Sequence, residues 1–333
     1  MESEVDFKIS IVMPVFNAGR YLSQAIESIL SQSYRNFDFI IINDGSTDDT
    51  LDILEAYGKK DYRIKIINQP HAGIVCALNK GIINARTDWI FRMDADDISY
   101  PKRVEEQIKM AMQDRTLTLI GSWCEQIDAQ GRTIKINKYP ARHSRLVRAL
   151  ENSRGFFPHP SVSYPKKKVI EAGLYRERFL YSEDTDLWLR LTGKGKFACY
   201  SGVLIKLRKH NRNISSVEFR SQQLKSIAAR ICHFRRKRGL YDPSESDEQT
   251  WVEFLRWIEK RLEQDGYFRI AEQWQALWKT FYPDDSLSKL GNIGLRRVKL
   301  IISQQFWKSY IRHRRFKNEA RKLAKETENY FIS

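Results

Sequence analysis

Residues 88–97 read DWIFRMDADD, an apolar and aromatic run that ends in three carboxylates, Asp94, Asp96 and Asp97. The run is short, lacks a helical period and reads as a buried strand over residues 88–93. Three acids on one turn repel one another unless a cation or a row of donors compensates them. Acids one residue apart lie on the same side of an extended segment, which suits a hard divalent ion that carries phosphates. A second reading makes Asp97 the N-cap of a helix opening at Pro101.

The same pattern stands upstream. Residues 8–15, KISIVMPV, form a strand-like run that closes on Pro14-Val15-Phe16-Asn17, before a helix over 21–32 with Leu22, Ile26, Ile29 and Leu30 on one face. Residues 37–42, FDFIII, run into Asn43-Asp44-Gly45-Ser46, and Thr47 or Asp48 is expected to cap a helix reaching Tyr57. A strand over 63–67, a helix over 73–85, a helix over 101–112 and a strand over 116–121 complete the alternation. Strands and helices alternating through short links predict an α/β fold, a mostly parallel Rossmann-like sheet flanked by helices. Ligands of such sheets bind at the carboxyl ends of the strands, so the three polar clusters should meet in one crevice. Asp44-Gly45-Ser46 is either a simple turn or the place where an aspartate takes hydrogen bonds from a base or ribose. The P-loop and the GxGxxG fingerprint are both absent, leaving a metal ion and cationic side chains to hold any diphosphate.

Residues 122–217 are less regular. A hairpin is expected around residues 128–131, a helix over 143–151, then Phe157-Pro158-His159-Pro160, a helix over 183–192 and two short strands over 196–200 and 203–207. Glu183, Asp184 and Asp186 begin their helix, either because acids favour a helix N-terminus or because one is a general base projecting into the crevice. Arg208-Lys209-His210 follows the last strand.

In order and spacing these pieces resemble glycosyltransferase family 2, inverting enzymes with the A-type nucleotide-sugar fold. The resemblance rests on Pro14-Val15-Phe16-Asn17, Asn43-Asp44-Gly45-Ser46-Thr47-Asp48, Met93-Asp94-Ala95-Asp96-Asp97, Ser182-Glu183-Asp184 with Leu187-Trp188-Leu189-Arg190, and Arg208-Lys209-His210. It covers about residues 7–217. It implies a nucleotide site made by Pro14, Phe16, Asn17, Asp44, Asp94 and Arg208, with Phe16 and Asp44 at the base, Asp94 at the ribose and Arg208 at the leaving group. It implies Mg²⁺ or Mn²⁺ on Asp96 with His210 nearby, and Asp184 as the base that deprotonates an acceptor hydroxyl. Glu183, His159 and Trp188 would line the acceptor side, Trp188 either as a sugar-stacking platform or as a buried aromatic. The donor would be a nucleotide-sugar, a UDP-sugar taken first, and the acceptor a glycan or lipid-linked glycan in surface-polysaccharide assembly. Asn43 departs from the aspartate more usual in the family.

Composition frames this reading. The 333 residues carry 57 Lys+Arg against 41 Asp+Glu, a formal net charge of +16, and a 42% hydrophobic fraction that excludes disorder. Residues 1–217 hold +7 and residues 218–333 hold +9, of which 291–333 supply +8. The chain is therefore read as a catalytic domain over 1–217 and an all-helical basic region over 218–333. In the latter, Trp251, Leu255, Ile258 and Leu262 form one stripe, and Ile270, Trp274, Leu277, Trp278 and Phe281 another, on either side of Asp265-Gly266. The stretch 295–317 reads either as an interfacial helix on an anionic membrane surface or as a helix packed on the hairpin with a solvated basic face. The alternative of a nucleic-acid-binding protein would use the same tail. It lacks zinc-finger, RNP and bZIP patterns, so no nucleic acid partner is expected. The four cysteines show no CxxC pair, no apolar run spans a bilayer, and Met-Glu-Ser-Glu-Val-Asp does not read as a leader. The expected location is the cytoplasm, with peripheral contact at the inner membrane face if the tail binds lipid.

Overall fold

The computed structural model of the chain describes residues 7–153, 155–210, 218–268 and 319–327. The chain divides into two compact units, residues 1–151 with 155–209, and residues 152–154 with 210–333.

In the first unit strands and helices alternate as β1 (Ile9–Val15), α1 (Gly19–Leu30), β2 (Phe37–Asn43), α2 (Thr50–Lys60), β3 (Ile64–Asn68), α3 (Gly73–Asn84), β4 (Trp89–Arg92), β5 (Ile98–Ser99) and α4 (Arg103–Gln113). The order continues through β6 (Leu117–Ile127), β7 (Thr133–Asn137), α5 (His143–Glu151), β8 (Ser163–Pro165), α6 (Lys166–Glu171), α7 (Glu183–Leu191) and β9 (Lys196–Arg208). Among the described residues these nine strands make one sheet, in the order β3-β2-β1-β4-β8-β6-β9-β5, with β7 beside β6. The pairs β3–β2, β2–β1, β1–β4 and β6–β9 are parallel, whereas β8, β7 and β5 run antiparallel to their neighbours. The alternating βα pattern thus forms the parallel half, and the less regular sequence after residue 122 supplies the mixed half.

Both faces are covered. Ile9, Ile11 and Met13 of β1 pack with Leu22 and Ile26 of α1 and Ile108 of α4 in one fully apolar core. On the other face α3 lies so close that a Cβ added at Gly81 would sit 2.4 Å from Val12 Cγ1. Burying two faces of one sheet explains why its strands read as continuous apolar runs rather than alternating ones.

Several expectations are corrected. The two short strands over 196–200 and 203–207 are one strand, β9, whose register against β6 shifts near Ser122 and Trp123. The helix expected from Pro101 starts at Arg103, and its N-cap, Lys102, makes no side-chain capping bond. Asp97 is therefore not that cap. At α2 the N-cap is Asp49, without a side-chain capping bond, rather than the expected Thr47 or Asp48, although Asp48 Oδ1 accepts the Thr50 N–H at 3.1 Å.

In the second unit helices Phe219–Lys237, Glu248–Gln264 and Glu319–Glu326 are described. Trp251, Phe254, Ile258 and Leu262 are buried, so Phe254 takes the place expected for Leu255. Asp247 caps the middle helix by accepting the Thr250 N–H at 2.9 Å. Arg235 Nη1 donates to the Thr327 carbonyl at 2.8 Å, tying the first helix to the end of the third. The stripe from Ile270 to Phe281 and the basic stretch 295–317 lie outside the described residues.

Candidate active site

The parallel strands end at one level. Val15 pairs with Asn43, Asn43 with Asn68, and Val12 with Arg92, so the loops after β1, β2, β3 and β4 share one edge of the sheet. Backbone bonds knit that edge: Asp44 N–H donates to Val15 O at 2.8 Å and Gln69 N–H to Asn43 O at 3.0 Å.

Pro14 sits within β1 opposite Ile42 and is half-buried. Asn17 adopts a left-handed φ of 48° and clasps the next loop. Its N–H donates to Ser46 Oγ at 3.0 Å, and its Oδ1 accepts the Thr47 N–H at 2.8 Å. Phe16 is 46% exposed, and its ring stacks on His71 with centroids 4.0 Å apart and planes at 23°. His71 escaped the sequence reading, because nothing local marks the loop after β3 as part of the site.

Asp44 is buried and fully engaged. Its Oδ1 accepts from Gln69 Nε2 at 2.5 Å and Ala72 N–H at 2.9 Å, and its Oδ2 accepts from Gly73 N–H at 2.9 Å and lies 2.9 Å from His71 Nδ1. The N-terminal N–H groups of α3 thus find in Asp44 the acceptor they lack within the helix. Gly45, at φ 73°, is required here, since a Cβ would meet His71 N at 2.6 Å.

The turn after β4 is different. One carboxylate oxygen from each of Asp94, Asp96 and Asp97 lies within 4.8 Å of the others. Asp97 is 1% exposed; its Oδ1 accepts the Arg208 N–H at 2.8 Å, and its Oδ2 has no hydrogen-bond partner. Burial, then repulsion by Asp96 and Asp94, pushes the Asp97 carboxyl well above the usual range. Burial also raises Asp94; Arg92 opposes that rise, and Asp96 and Asp184 add to it. Arg92 is buried and ion-paired with Asp94. This arginine is the single cation in the run 88–97, the local signal that marks it.

Arg208 was expected at the leaving group. Its guanidinium instead donates through Nε to Asp96 O at 2.9 Å and through Nη2 to Gln24 Oε1 at 2.8 Å, while its carbon lies 4.4 Å from the Tyr21 ring centroid. Arg208 therefore ties the acidic turn to α1. His210 follows two residues later and is half-buried.

Glu183 and Asp184 begin α7 as expected. Glu183 is 7% exposed with Oε2 unpartnered, and burial followed by the Asp184 charge lifts its carboxyl to about 8. Asp186 is fully buried between Arg176 at 2.6 Å and Arg190 at 2.8 Å. His159 Nε2 lies 2.7 Å from Tyr175 Oη, and burial with the nearby Arg92 charge holds its imidazole well below the usual range, hence neutral. Trp188 is 1% exposed and packs edge-on against His159 and Tyr175. A fully buried ring offers no face to a sugar, so the stacking-platform reading of Trp188 falls and the buried-aromatic reading stands. Tyr175 is held by Asn79, which accepts its N–H at 3.0 Å and donates to its carbonyl at 2.9 Å. No sequence signal marked that pair.

The acidic turn fits a divalent ion by its donors: three hard oxygen ligands, one of them a buried oxygen without a partner. The family model described as "Glycosyl transferase family 2" matches residues 10–173. The O-antigen biosynthesis glycosyltransferase WbnJ of Escherichia coli is 33% identical over 209 residues, covering 62% of this chain and 81% of WbnJ. Among solved structures, S. aureus TarS 1-349 in complex with UDP-GlcNAc is similar with a TM-score of 0.57 at 15% identity, covering 81% of this chain and 78% of that one. The mannosyltransferase PcManGT from Pyrobaculum calidifontis, in complex with GDP-Man and Mn²⁺, gives 0.55 at 12% identity over 94% of this chain and 85% of that one. The match to this family model, with a relative one third identical over four fifths of its length, shows that the chain belongs to glycosyltransferase family 2.

Proposed function

We propose that the protein is a metal-dependent, inverting glycosyltransferase that moves a sugar from a nucleoside diphosphate to a hydroxyl of a glycan or lipid-linked glycan in surface-polysaccharide assembly. The observation that carries this reading is the convergence of Asp94, Asp96 and Asp97, with the charge of Asp184 reaching Asp94 from a separate element. The relatives support the donor and the pathway: WbnJ is named for O-antigen biosynthesis, and the two similar structures hold UDP-GlcNAc and GDP-Man.

Phe16 and His71, exposed at the edge, would receive the base, and Asp44 holds the loop that presents His71. Asp94 would bind the ribose. Mg²⁺ or Mn²⁺ on Asp96 and its neighbours would supply the positive charge that stabilises a departing diphosphate. Asp184 would take the proton of the acceptor hydroxyl as that oxygen attacks the anomeric carbon from the side opposite the diphosphate, which inverts the centre. Glu183, whose carboxyl burial lifts to about 8, stands beside Asp184 at the start of the same helix. His159, neutral and bonded to Tyr175, would line the acceptor side. Arg208 acts through its hold on the backbone of Asp96.

Hydrolysis of a panel of UDP-, GDP- and dTDP-sugars, with Mn²⁺ and with EDTA, tests the proposal. Turnover of at least one donor, lost with EDTA, is expected; no metal-dependent turnover of any donor would reject it. For the basic tail the proposed partner is an anionic membrane surface, resting on the +8 carried by residues 291–333. Flotation with anionic but not neutral liposomes is expected, and no flotation with either would refute it. No helix among the described residues is long and apolar enough to cross a membrane.

A further inference from the structure

Three buried arginines, Arg92, Arg103 and Arg208, stand beside the acidic turn, and they are used differently. Arg103 is held by directed bonds: its Nη2 donates to Arg92 O at 2.6 Å and to Val162 O at 3.3 Å. Arg208 and Arg190 likewise donate to named carbonyls and side chains. Arg92 is held differently: it is 2% exposed, its Nη1 is ion-paired with a carboxylate oxygen of Asp94, and its Nε has no hydrogen-bond partner. The charges of Asp94 and Asp97 act on both Arg92 and Arg103. Asp94 keeps 28% of its side chain exposed and Asp96 is half-buried, so the buried guanidinium of Arg92 meets the acidic turn at the border of the core. A buried guanidinium is costly, and nearby carboxylates are what can offset that cost.

We propose that Arg92 is a resident counter-cation of the acidic turn, holding Asp94 and its neighbours together until a divalent ion takes over that charge. It is a positioning residue, acting through the carboxylates. The inference rests on the metal reading given above and adds a sign that reading does not contain. A residue that merely organised the ligands would strengthen metal binding. A counter-cation competes with the metal, so removing it should tighten the binding of the bare ion.

The test is calorimetric titration of the full chain with Mn²⁺ alone, no donor present, for the wild type, Arg92→Met and Arg92→Lys. At the separations within one turn, one unscreened charge is worth about a factor of ten or more. Arg92→Met is expected to bind Mn²⁺ about tenfold more tightly than the wild type, and Arg92→Lys to stay near it. Thermal unfolding gives the second measurement: the deficit of Arg92→Met should be large in EDTA and shrink in saturating Mn²⁺. A variant unfolded in EDTA but folded in Mn²⁺ counts equally in favour, because the ion then does what the arginine did. Weaker or unchanged Mn²⁺ binding by Arg92→Met, or an equal deficit with and without Mn²⁺, overturns the proposal. A wild type that binds no Mn²⁺ would sink the metal reading itself, and that outcome is distinct from a wild type that binds while the variant fails to tighten.

Discussion

Asp44 and Asp97 stand at the same edge of the same sheet, each just past a parallel strand and each almost wholly buried. Their surroundings differ completely. Asp44 receives two N–H groups from the start of α3, the Gln69 amide and the His71 ring, so both of its oxygens are satisfied by the protein. Asp97 has one oxygen bonded to the Arg208 N–H and one with nothing, and it is pushed against Asp94 and Asp96. A satisfied carboxylate is part of the scaffold. A crowded and unsatisfied one is stable only because the rest of the fold holds it there, and such sites are where ligands are held.

The sharpest challenge to this division lies on the third acidic region, the start of α7. Asp184→Asn keeps the shape but removes the basic oxygen, and a fall in transfer of about 10²–10⁴-fold is expected with donor binding unchanged by titration calorimetry. Near-normal turnover would remove Asp184 from the mechanism. The next effect contrasts the two aspartates directly. Asp44→Ala leaves the α3 N–H groups and Gln69 without their acceptor and should cost roughly 2–4 kcal/mol in denaturant unfolding. Asp97→Asn should act the other way in EDTA, raising Tm by a few degrees, the shift that about 1 kcal/mol produces in a chain of this size, while weakening Mn²⁺ binding. If both variants lost stability alike, the distinction between scaffold and ligand carboxylates would fail.

The smallest effect is one of pH. Glu183 is lifted by burial to about 8, well above its unfolded value, so its contribution to stability is fully present at acid pH and is lost as pH rises through about 8. Glu183→Gln should therefore unfold at a higher temperature than the wild type at pH 8.5, by about 2–4 °C per kcal/mol relieved, with the gap closing by pH 5. A gap that stayed constant across that range would mean the carboxyl is charged throughout.

The sequence carried much of this, and unevenly. The four parallel strands and their helices were legible because both periodicities are local, and their boundaries fall within a few residues of the expected ones. The mixed half was less so. β8 is three residues long, and its pairing with β4 and β6 is decided by contacts far away in the chain. Among candidate residues, Asp94, Asp96 and Asp97 were found as a group because they lie on one turn. His71, Tyr175 and Asn79 were not, because each reaches its place through a different loop or helix.

What the sequence determined alone is therefore the parallel sheet, the edge at which its loops gather, and which chemical groups arrive there. All three follow from short-range periodicity and from the geometry common to βα units. Tertiary structure decided how each group is used. It set α3 against Asp44, wrapped the Trp188 ring on every side, drew the Arg208 guanidinium to Asp96 and Gln24, and left one carboxylate oxygen of Asp97 and the Nε of Arg92 without a partner. Burial and hydrogen-bond satisfaction depend on residues that meet only after the chain has folded, so no local pattern records them.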